Sequence, residues 1–306
     1  MRESLVTLLE AEAMHDSSLV LLTGDLGFSV LESLQNILGD RFLNVGVAEA
    51  NMVSMAGALA EDGFHVYVYS IAPFLTLRCL EQIRNDISYG VRPVRLIGVG
   101  AGLSYGTLGP SHHSLEDANV MAQLPSMQIV SPATDGELRQ AHQAITSWDF
   151  PIYFRIPRAG VENIPCPEFM FDAAVIKYRT GSGGTILTSG PSLGICLDAA
   201  DELTLDGVDV TVISIPILNP FPTESALDLP PNGPIVTVFE GFMDNPLETA
   251  LMKILVKSRR SKSPVEFINA GKKFADVVGD TDYLRNQFGL SANRISFAMR
   301  MLLANY

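Results

Sequence analysis

The sequence predicts an α/β protein made of two three-layer α/β domains with mostly parallel sheets. Short apolar runs rich in β-branched residues alternate with helical patterns along the chain. This alternation is typical of a parallel sheet that helices cover on both faces. A stretch with two prolines and no periodicity, VENIPCPEF (161–169), separates an earlier series from a later one and indicates a linker. We therefore expect one domain over residues 1–165 and a second over residues 175–306.

Nine apolar runs predict the strands of these two domains. In the first domain they are SLVLLTG, HVYVYSI, VRLIGVG, MQIVSP and PIYFRI. In the second they are GTILTSG, DVTVISI, PIVTVFEG and PVEFINA. Segments near residues 48–62, 74–88 and 134–147 predict helices of the first domain, and further helical patterns lie between the strands of the second.

Composition argues against two classes of partner. The formal net charge of −13 argues against nucleic acid, since binding it needs basic patches that displace counterions. The longest uncharged stretch, Leu96–Leu115, carries five glycines, a proline and two histidines, which argues against a membrane span. The N-terminus does not resemble a signal peptide, and the three cysteines lack metal or disulfide spacing, so we expect a cytoplasmic protein. The high mean hydropathy of +0.23 favours burial of apolar surface against partner chains.

The segment Arg41–Gly63 combines an acidic residue with a helical pattern. Its apolar face is formed by Ala48, Met52, Met55, Ala56 and Leu59. Glu49 stands at the start of this helix, where an acid commonly favours the N-terminus through the macrodipole. A chemical role for Glu49 therefore depends on the motifs around it.

Several motifs, in order and at matching spacing over residues 2–158, resemble those of two-subunit transketolases. NVGVAEANM resembles the family segment N-V-G-I-A-E-Q-N-M. The other motifs are RESL, LLTGDLGFS, FLTLRCLEQIRNDISY, GPSHHSLED and SPATDGEL. TDYLRNQFGL, near the end of the second domain, is compatible with the family's C-terminal domain. The resemblance implies a pyrimidine-binding domain of the thiamine-diphosphate fold over 1–165 and a transketolase C-terminal-like domain over 175–306.

The resemblance implies that the chain uses thiamine diphosphate to transfer a two-carbon ketol unit from a ketose donor, a ketose phosphate in this family, to an aldose-type acceptor. Glu49 matches the glutamate that contacts the aminopyrimidine ring, where a carboxyl group bonded to nitrogen N1′ favours the imino tautomer. Phe74 matches the aromatic that stacks on this ring, although phenylalanine is more commonly a core residue. Asp25 and Ile71 complete the implied cofactor-binding set, and Ile71 stands where the family often has another aromatic.

The resemblance also implies substrate contacts. Arg2, Ser29 and Arg158 match contacts to the substrate phosphate, which arginine suits because its planar fork donates two hydrogen bonds at once. Arg78 matches an arginine near the substrate site of related deoxyxylulose-phosphate synthases. His112 is assigned to the substrate channel and is the second catalytic candidate, since it could bond a hydroxyl or carry a proton. Taken singly, a loop histidine is more often solvated, and a terminal arginine is often frayed.

Three positions depart from the family pattern. Transketolases usually read T-H-A-G-x-x-x-G-E-D-G where this chain reads GVGAGLSYGTLG. Gly100 replaces the histidine, Thr107 the glutamate and Leu108 the aspartate. A site built to bond a hydroxyl discriminates strongly for it, so losing these polar groups should alter substrate choice. We therefore expect the substrates to differ from the standard pair of pentose phosphates, with a less hydroxylated or otherwise modified sugar among them.

The sequence contains no G-D-G segment, through which the family holds the cofactor's diphosphate by way of magnesium. We expect no metal ligands in this chain. A separate N-terminal transketolase-like subunit carrying G-D-G and a downstream asparagine is expected to hold Mg²⁺ and the diphosphate. The resemblance implies an α2β2 heterotetramer with the cofactor at the interface, and an inactive chain when alone.

Three alternatives remain open from the sequence. A deoxyxylulose-phosphate-synthase-like enzyme and a 2-oxoacid dehydrogenase beta-type subunit share the architecture and the glutamate. A non-catalytic interaction subunit with the same fold is the third. The retained Glu49 argues against the third alternative, whereas the altered 100–108 loop is compatible with it.

Overall fold

A computed structural model describes residues 1–145, 149–161, 164–167, 174–258 and 263–304 of the protein. Within these residues the strands form a seven-stranded and a five-stranded sheet, both mostly parallel, which confirms the predicted fold class. Part of the predicted linker 161–169, namely residues 162, 163, 168 and 169, lies outside the described residues. The same is true of residues 146–147, at the end of the predicted helix 134–147.

The first part of the chain alternates strands and helices. Its strands are β1 (Leu19–Thr23), β2 (Phe42–Asn44), β3 (His65–Ile71), β4 (Arg95–Val99), β5 (Gln128–Val130) and β6 (Ile152–Ile156). Its helices are α1 (Arg2–His15), α2 (Glu32–Leu38), α3 (Glu49–Glu61), α4 (Ala72–Thr76), α5 (Leu80–Gln82), α6 (Asp117–Met121) and α7 (Asp135–Ile145). A π-helical turn covers Ile83–Ser88, and 3₁₀ turns cover Gly39–Arg41 and Gly106–Leu108.

The later part of the chain repeats this alternation. Its strands are β7 (Ile176–Arg179), β8 (Thr185–Thr188), β9 (Thr211–Ser214), β10 (Ile217–Asn219), β11 (Ile235–Val238) and β12 (Val265–Ile268). Its helices are α8 (Leu193–Leu205), α9 (Glu224–Leu227), α10 (Pro246–Lys257), α11 (Thr281–Gln287) and α12 (Ala292–Ala304), with a 3₁₀ turn at Gly190–Ser192. Among the described helices, none is long and apolar enough to cross a bilayer.

All nine apolar runs predicted as strands form strands. The central strands β1, β4 and β6 are buried at every residue. A strand buried on both faces has no polar side to alternate with its apolar one, which explains why these strands appear in the sequence as continuous apolar runs. The short strands β2, β7 and β10 lack such runs and were not predicted.

The order of the strands locates the place where a ligand can bind. The first sheet runs β10-β5-β6-β4-β3-β1-β2, and the second runs β12-β11-β8-β9-β7. In the first sheet, β1 pairs in parallel with β2 on one side and β3 on the other, so the chain changes direction across the sheet at β1. In open α/β sheets, ligands bind outside the carboxyl ends of the strands at such a switch point.

Strand β10 joins the first sheet although it lies beyond the expected domain boundary. It pairs antiparallel with β5, with Ile217 opposite Val130. Pro216 and Pro220 flank this three-residue strand, and proline argues against a central strand. An edge position tolerates the prolines, because only one side of the strand needs to pair. The first sheet is thus completed by a segment of the later part of the chain.

The segment 74–88 is helical in parts but does not form the single continuous helix that was predicted. The segment forms α4, a turn at residues 77–79, α5 and then the π-helical turn. The amides of Leu77 and Arg78 both bond to the carbonyl of Pro73, which closes the first helix instead of extending it. The π-helical turn packs against α3, where a Cβ at Gly57 would lie 2.5 Å from the carbonyl oxygen of Asp86. The break places Arg78 in the turn.

Candidate active site

The predicted site residues gather along one edge of the first sheet. Asp25 follows β1, Glu49 follows β2, Phe74 follows β3, His112 lies in the loop after β4, and Arg158 follows β6. Because these strands run in parallel, their carboxyl ends meet at the same edge. The edge includes the switch point at β1, so topology alone brings together residues that are far apart in the sequence.

Glu49 is the first residue of α3 and is only 3% exposed. A buried carboxylate is costly unless it is hydrogen-bonded. Arg78 provides such a bond, since its Nη1 donates to Glu49 Oε2 at 2.8 Å. The Glu49 side chain also packs beside Gly24, where a Cβ would lie 3.6 Å from Glu49 Cγ. An acid that only favoured a helix N-terminus could remain in solvent, so burial favours a role beyond the helix dipole.

Phe74 is half-buried and lies beside His112 and Arg78, the arginine that bonds to Glu49. The Cζ of Arg78 lies 4.4 Å from its ring centroid, which is a cation–π contact. The ring of His112 meets Phe74 edge-on at 5.1 Å between centroids, and the ring of Tyr105 lies 6.4 Å from His112. Phe74 is therefore a partly open aromatic at the sheet edge, and Tyr105 is a neighbour that the sequence reasoning missed.

The two loop histidines have different surroundings. His112 is partly exposed, and Ser111 Oγ lies 3.0 Å from its Nδ1. Partial burial, with a smaller contribution from neighbouring His113, lowers the pKa of His112 below its usual 6.5. His113 is buried, and its Nε2 lies 3.1 Å from the carbonyl oxygen of Gly106. His112 is thus the histidine that can meet a ligand, whereas His113 bonds within the loop.

Arg2 and Arg158 line the same two adjoining cavities, of about 980 and 600 Å³. Arg2 bonds to Tyr69, a buried residue of β3 whose pKa burial raises to about 12. Helix α1 is further tied to α7, because Ser4 Oγ donates to Asp135 Oδ2 at 2.6 Å. Arg2 is therefore held in place rather than frayed.

The remaining predicted residues lie in loops or at a strand end. Asp25 is exposed, and its backbone N–H donates to Asn44 Oδ1 at 3.0 Å. Ser29 is exposed at a φ of +62°, and its backbone N–H donates to Glu32 Oε1 at 2.6 Å. Ile71 ends β3 and is partly buried. The structure places Asp25 and Ile71 at the carboxyl ends of β1 and β3. It places Ser29 next to Val30, which lines the larger cavity.

The residues that depart from the family pattern lie in one loop after β4. Gly100 has a φ of +92°, and a Cβ there would lie 2.2 Å from the ring of Tyr105. Only glycine fits beside Tyr105 in this conformation, so the loss of the family histidine and the packing of Tyr105 go together. Thr107 and Leu108 are exposed, Leu108 at 53%. The loop therefore presents an apolar side chain where the family presents a carboxylate.

Comparison with known proteins gives the same family for both parts of the chain. Residues 1–163 match the family described as transketolase, pyrimidine binding domain, and residues 173–295 match the one described as transketolase, C-terminal domain. The chain is 30% identical over 299 residues to the 6-deoxy-6-sulfo-D-fructose transketolase subunit SqwH of Clostridium sp. (strain MSTE9), covering 96% of this chain and 92% of that protein. It is 33% identical over 187 residues to one subunit of the apulose-4-phosphate transketolase of Actinobacillus succinogenes, covering 61% of this chain and 60% of that protein.

A solved structure supports the same relationship. It is described as a split gene transketolase, inactive β4 tetramer, and it matches with a TM-score of 0.87 at 26% identity. The match covers 99% of this chain and 98% of that one. The chain therefore belongs to the transketolase family and carries its pyrimidine-binding and C-terminal domains.

Proposed function

We propose that this chain is the pyrimidine-binding subunit of a two-subunit, thiamine-diphosphate-dependent transketolase. In this proposal the enzyme transfers a two-carbon ketol unit from a ketose phosphate to an aldose-type acceptor. The observation that carries the proposal is that Glu49 and Phe74 both contact one planar, nitrogen-bearing group, the guanidinium of Arg78. Two relatives are named as transketolase subunits, which favours this function over the synthase-like and 2-oxoacid dehydrogenase alternatives. The burial of Glu49 favours it over a non-catalytic role.

The guanidinium of Arg78 shares its planar shape and N–H donors with the cofactor's aminopyrimidine, so its contacts indicate whether Glu49 and Phe74 fit that ring. The guanidinium lies over the Phe74 ring, and it donates an N–H to the Glu49 carboxylate. The resemblance assigns these same two contacts to the pyrimidine. The donor set therefore fits a flat nitrogen heterocycle, with Glu49 holding its edge and Phe74 its face. Asp25 and Ile71 belong to the rim of the same proposed site.

Bound thiamine diphosphate supplies the electron sink that carbon–carbon bond cleavage in a ketose requires. Glu49 is proposed to hold or release a proton at ring nitrogen N1′. Its burial strengthens that hydrogen bond, because little water competes for the carboxylate. Phe74 supplies an apolar face that orients the ring and excludes water from one side of it.

His112 is proposed to bind a substrate hydroxyl beside this site. Its lowered pKa keeps the imidazole neutral near pH 7, so one ring nitrogen can donate and the other can accept. Its contact with Phe74 supports a position next to the proposed cofactor ring. His112 is therefore suited to orient a sugar and to move a proton to or from its hydroxyl.

The substrates are proposed to be anionic sugars other than the standard pair of pentose phosphates. Arg2 and Arg158 share two cavities and can bind a phosphate or a similar anion, with Ser29 and Arg78 as further contacts. The exposed Leu108, in the loop that also carries His112, makes this loop less polar than the family pattern does. The names of the two relatives, which specify a sulfonated sugar and apulose 4-phosphate, support a modified substrate.

The proposal includes a partner and a metal. A separate N-terminal subunit with a G-D-G motif and a downstream asparagine would hold Mg²⁺ and the diphosphate. The relatives' names, which call each a subunit, and the split-gene origin of the solved structure support such a partner. We propose an α2β2 assembly in the cytoplasm, consistent with three free cysteines.

The test is ketol transfer by the complex of this chain with the N-terminal-type subunit from the same genome. Glu49→Gln keeps the size of the side chain but removes its charge. We expect it to lower kcat by about 10²- to 10⁴-fold, the usual range for an acid–base group. Glu61→Gln is the matched control, since Glu61 lies at the other end of α3 and also pairs with an arginine but is 65% exposed. Unchanged turnover by Glu49→Gln would contradict the catalytic role, and a wild-type complex inactive on every ketose donor would contradict the activity.

A further inference from the structure

The loop that carries His112 is anchored by the later part of the chain. This loop, residues 100–113, follows β4 and is closed at its base by two hydrogen bonds between Gly102 and Ser114. Glu240, two residues after the end of β11, accepts a bond from the backbone N–H of Leu103 at 2.8 Å. Thr281 Oγ1 donates to the carbonyl of Leu103 at 3.3 Å. Both polar groups of the Leu103 backbone are therefore held by residues from 137 or more positions further along the chain.

The side chain of Glu240 is itself held in place by hydrogen bonds. It is 0% exposed, and while Oε1 accepts from Leu103, Oε2 accepts from Arg285 Nε at 2.6 Å. The charge of Glu240, which outweighs the effect of burial, raises the pKa of Arg285, so the guanidinium stays protonated. A buried carboxylate with a donor on each oxygen has little freedom to move, because losing either bond leaves a desolvated charge.

The loop backbone approaches Glu240 more closely than a side chain would allow. Gly102 has a φ of +63°, and a Cβ there would lie 2.3 Å from Glu240 Oε1. Further along, a Cβ at Gly106 would lie 2.5 Å from the carbonyl oxygen of Gly279, just before α11. Two glycines thus allow the loop to lie directly on Glu240 and on the residues before α11.

The anchored part of the loop leads directly to His112. Its neighbour His113 bonds to the carbonyl of Gly106, which ties the end of the loop to the turn that rests on Gly279. Tyr105, two residues after the anchored Leu103, lies next to the His112 ring. The position of His112 against Phe74 is therefore determined through the loop by contacts that begin at Glu240.

We propose that Glu240 is a positioning residue for His112, so that the C-terminal domain shapes the substrate site. The proposal rests on the proposed function, because His112 is taken there as a substrate contact. Glutamine at position 240 would keep the shape but present an NH₂ group to one of two donors, the Leu103 amide or Arg285. One of the two bonds must then break, and the loop loses its fixed register.

The experiment compares Glu240→Gln with Glu248→Gln in the assembled enzyme. Glu248 is a matched control, a buried carboxylate of α10 that accepts from the Asp244 amide and the Asn269 side chain. Hydrogen–deuterium exchange of residues 100–113 and steady-state kinetics are measured for both. We expect Glu240→Gln to speed loop exchange by roughly tenfold. We expect it to raise KM several-fold while thiamine diphosphate affinity stays at the wild-type value. Glu248→Gln should leave loop exchange and KM unchanged.

A second variant covers the case in which Glu240→Gln does not fold. Thr281→Val removes only the bond to the Leu103 carbonyl, and it should speed loop exchange in the same direction by a smaller factor. Unchanged loop exchange in both variants would overturn the proposal, as would faster exchange with an unchanged KM. If the wild-type complex shows no ketol transfer, the proposed function fails by itself, whereas loop exchange still reports whether Glu240 anchors the loop.

Discussion

The half-exposed Arg78 forms an ion pair with the buried Glu49, with 2.8 Å between Nη1 and Oε2. The two residues lie 29 positions apart and meet because the helical segment after β3 breaks at the turn that contains Arg78. The same guanidinium covers the Phe74 ring. Arg78 therefore uses both contacts that the proposed pyrimidine site offers.

Replacing Arg78 by alanine should destabilise the isolated chain by about 1–2 kcal/mol, because the Glu49 carboxylate would stay buried without its charged donor. A double-mutant cycle with Glu49→Ala should give a coupling of about 1 kcal/mol, reduced from that of a buried pair by the 46% exposure of Arg78. Urea unfolding of the four proteins measures this coupling. Strictly additive effects would show that the contact contributes nothing to stability.

The cofactor ring has to displace the Arg78 guanidinium if both use Glu49 and Phe74. Arg78→Ala should therefore tighten thiamine diphosphate binding by the assembled enzyme, by about tenfold if the guanidinium covers the site in nine molecules of ten. Isothermal titration calorimetry measures this affinity, with Arg84→Ala as control, since Arg84 is exposed in the same segment and bonds to Asn85. Weaker binding by Arg78→Ala would instead place the arginine among the cofactor's ligands.

The site could be predicted from the sequence to the extent that it follows from local patterns and parallel topology. Asp25, Glu49, Phe74 and Arg158 each follow an apolar run or open a helix, and their shared edge follows once those runs are known to be parallel neighbours in one sheet. Contacts between residues far apart in the chain could not be predicted, because they produce no local pattern in the sequence. The bond between Leu103 and Glu240 spans 137 positions, and its only visible signal was a glycine-rich loop.

Two further differences between the predicted and the observed elements arise from contacts that a local sequence pattern does not reveal. Strand β10 has three residues between prolines, and its pairing depends on the edge that β5 offers. The break in the segment 74–88 depends on the carbonyl of Pro73 accepting two amides, while the apolar periodicity continues through it. In both cases the tertiary surroundings determine the structure.

Glu12 should make the stability of the first domain depend on pH. Burial alone would raise the pKa of this carboxyl, but hydrogen bonds from His142 and Tyr67 and the charge of His65 outweigh it and lower the pKa below 4.5. Since the unfolded chain binds this proton at a higher pH than the folded chain, the stabilisation is complete above about pH 4.5. It is lost as the pH falls through the lowered value.

Glu12→Gln should therefore unfold at lower urea concentration than wild type at pH 7, with a smaller difference at pH 3. Glu3→Gln is the control, because Glu3 is exposed on the same helix, and it should follow the wild-type curve. Urea midpoints at several pH values between 3 and 7 provide the measurement. Parallel curves for Glu12→Gln and wild type would contradict the linkage.

Restoring the family carboxylate tests whether the loop determines substrate choice. Leu108 is 53% exposed, so Leu108→Asp should fold normally and add a hydrogen-bond acceptor to the loop that carries His112. We expect this variant to raise kcat/KM for hydroxylated pentose phosphates relative to the preferred substrate by about tenfold, since one hydrogen bond to a substrate hydroxyl discriminates by at least this much. Leu108→Asn supplies an acceptor without the charge and should shift the ratio in the same direction. Competition assays with pairs of donors measure the ratio, and an unchanged ratio in both variants would show that the substrate is selected elsewhere in the site.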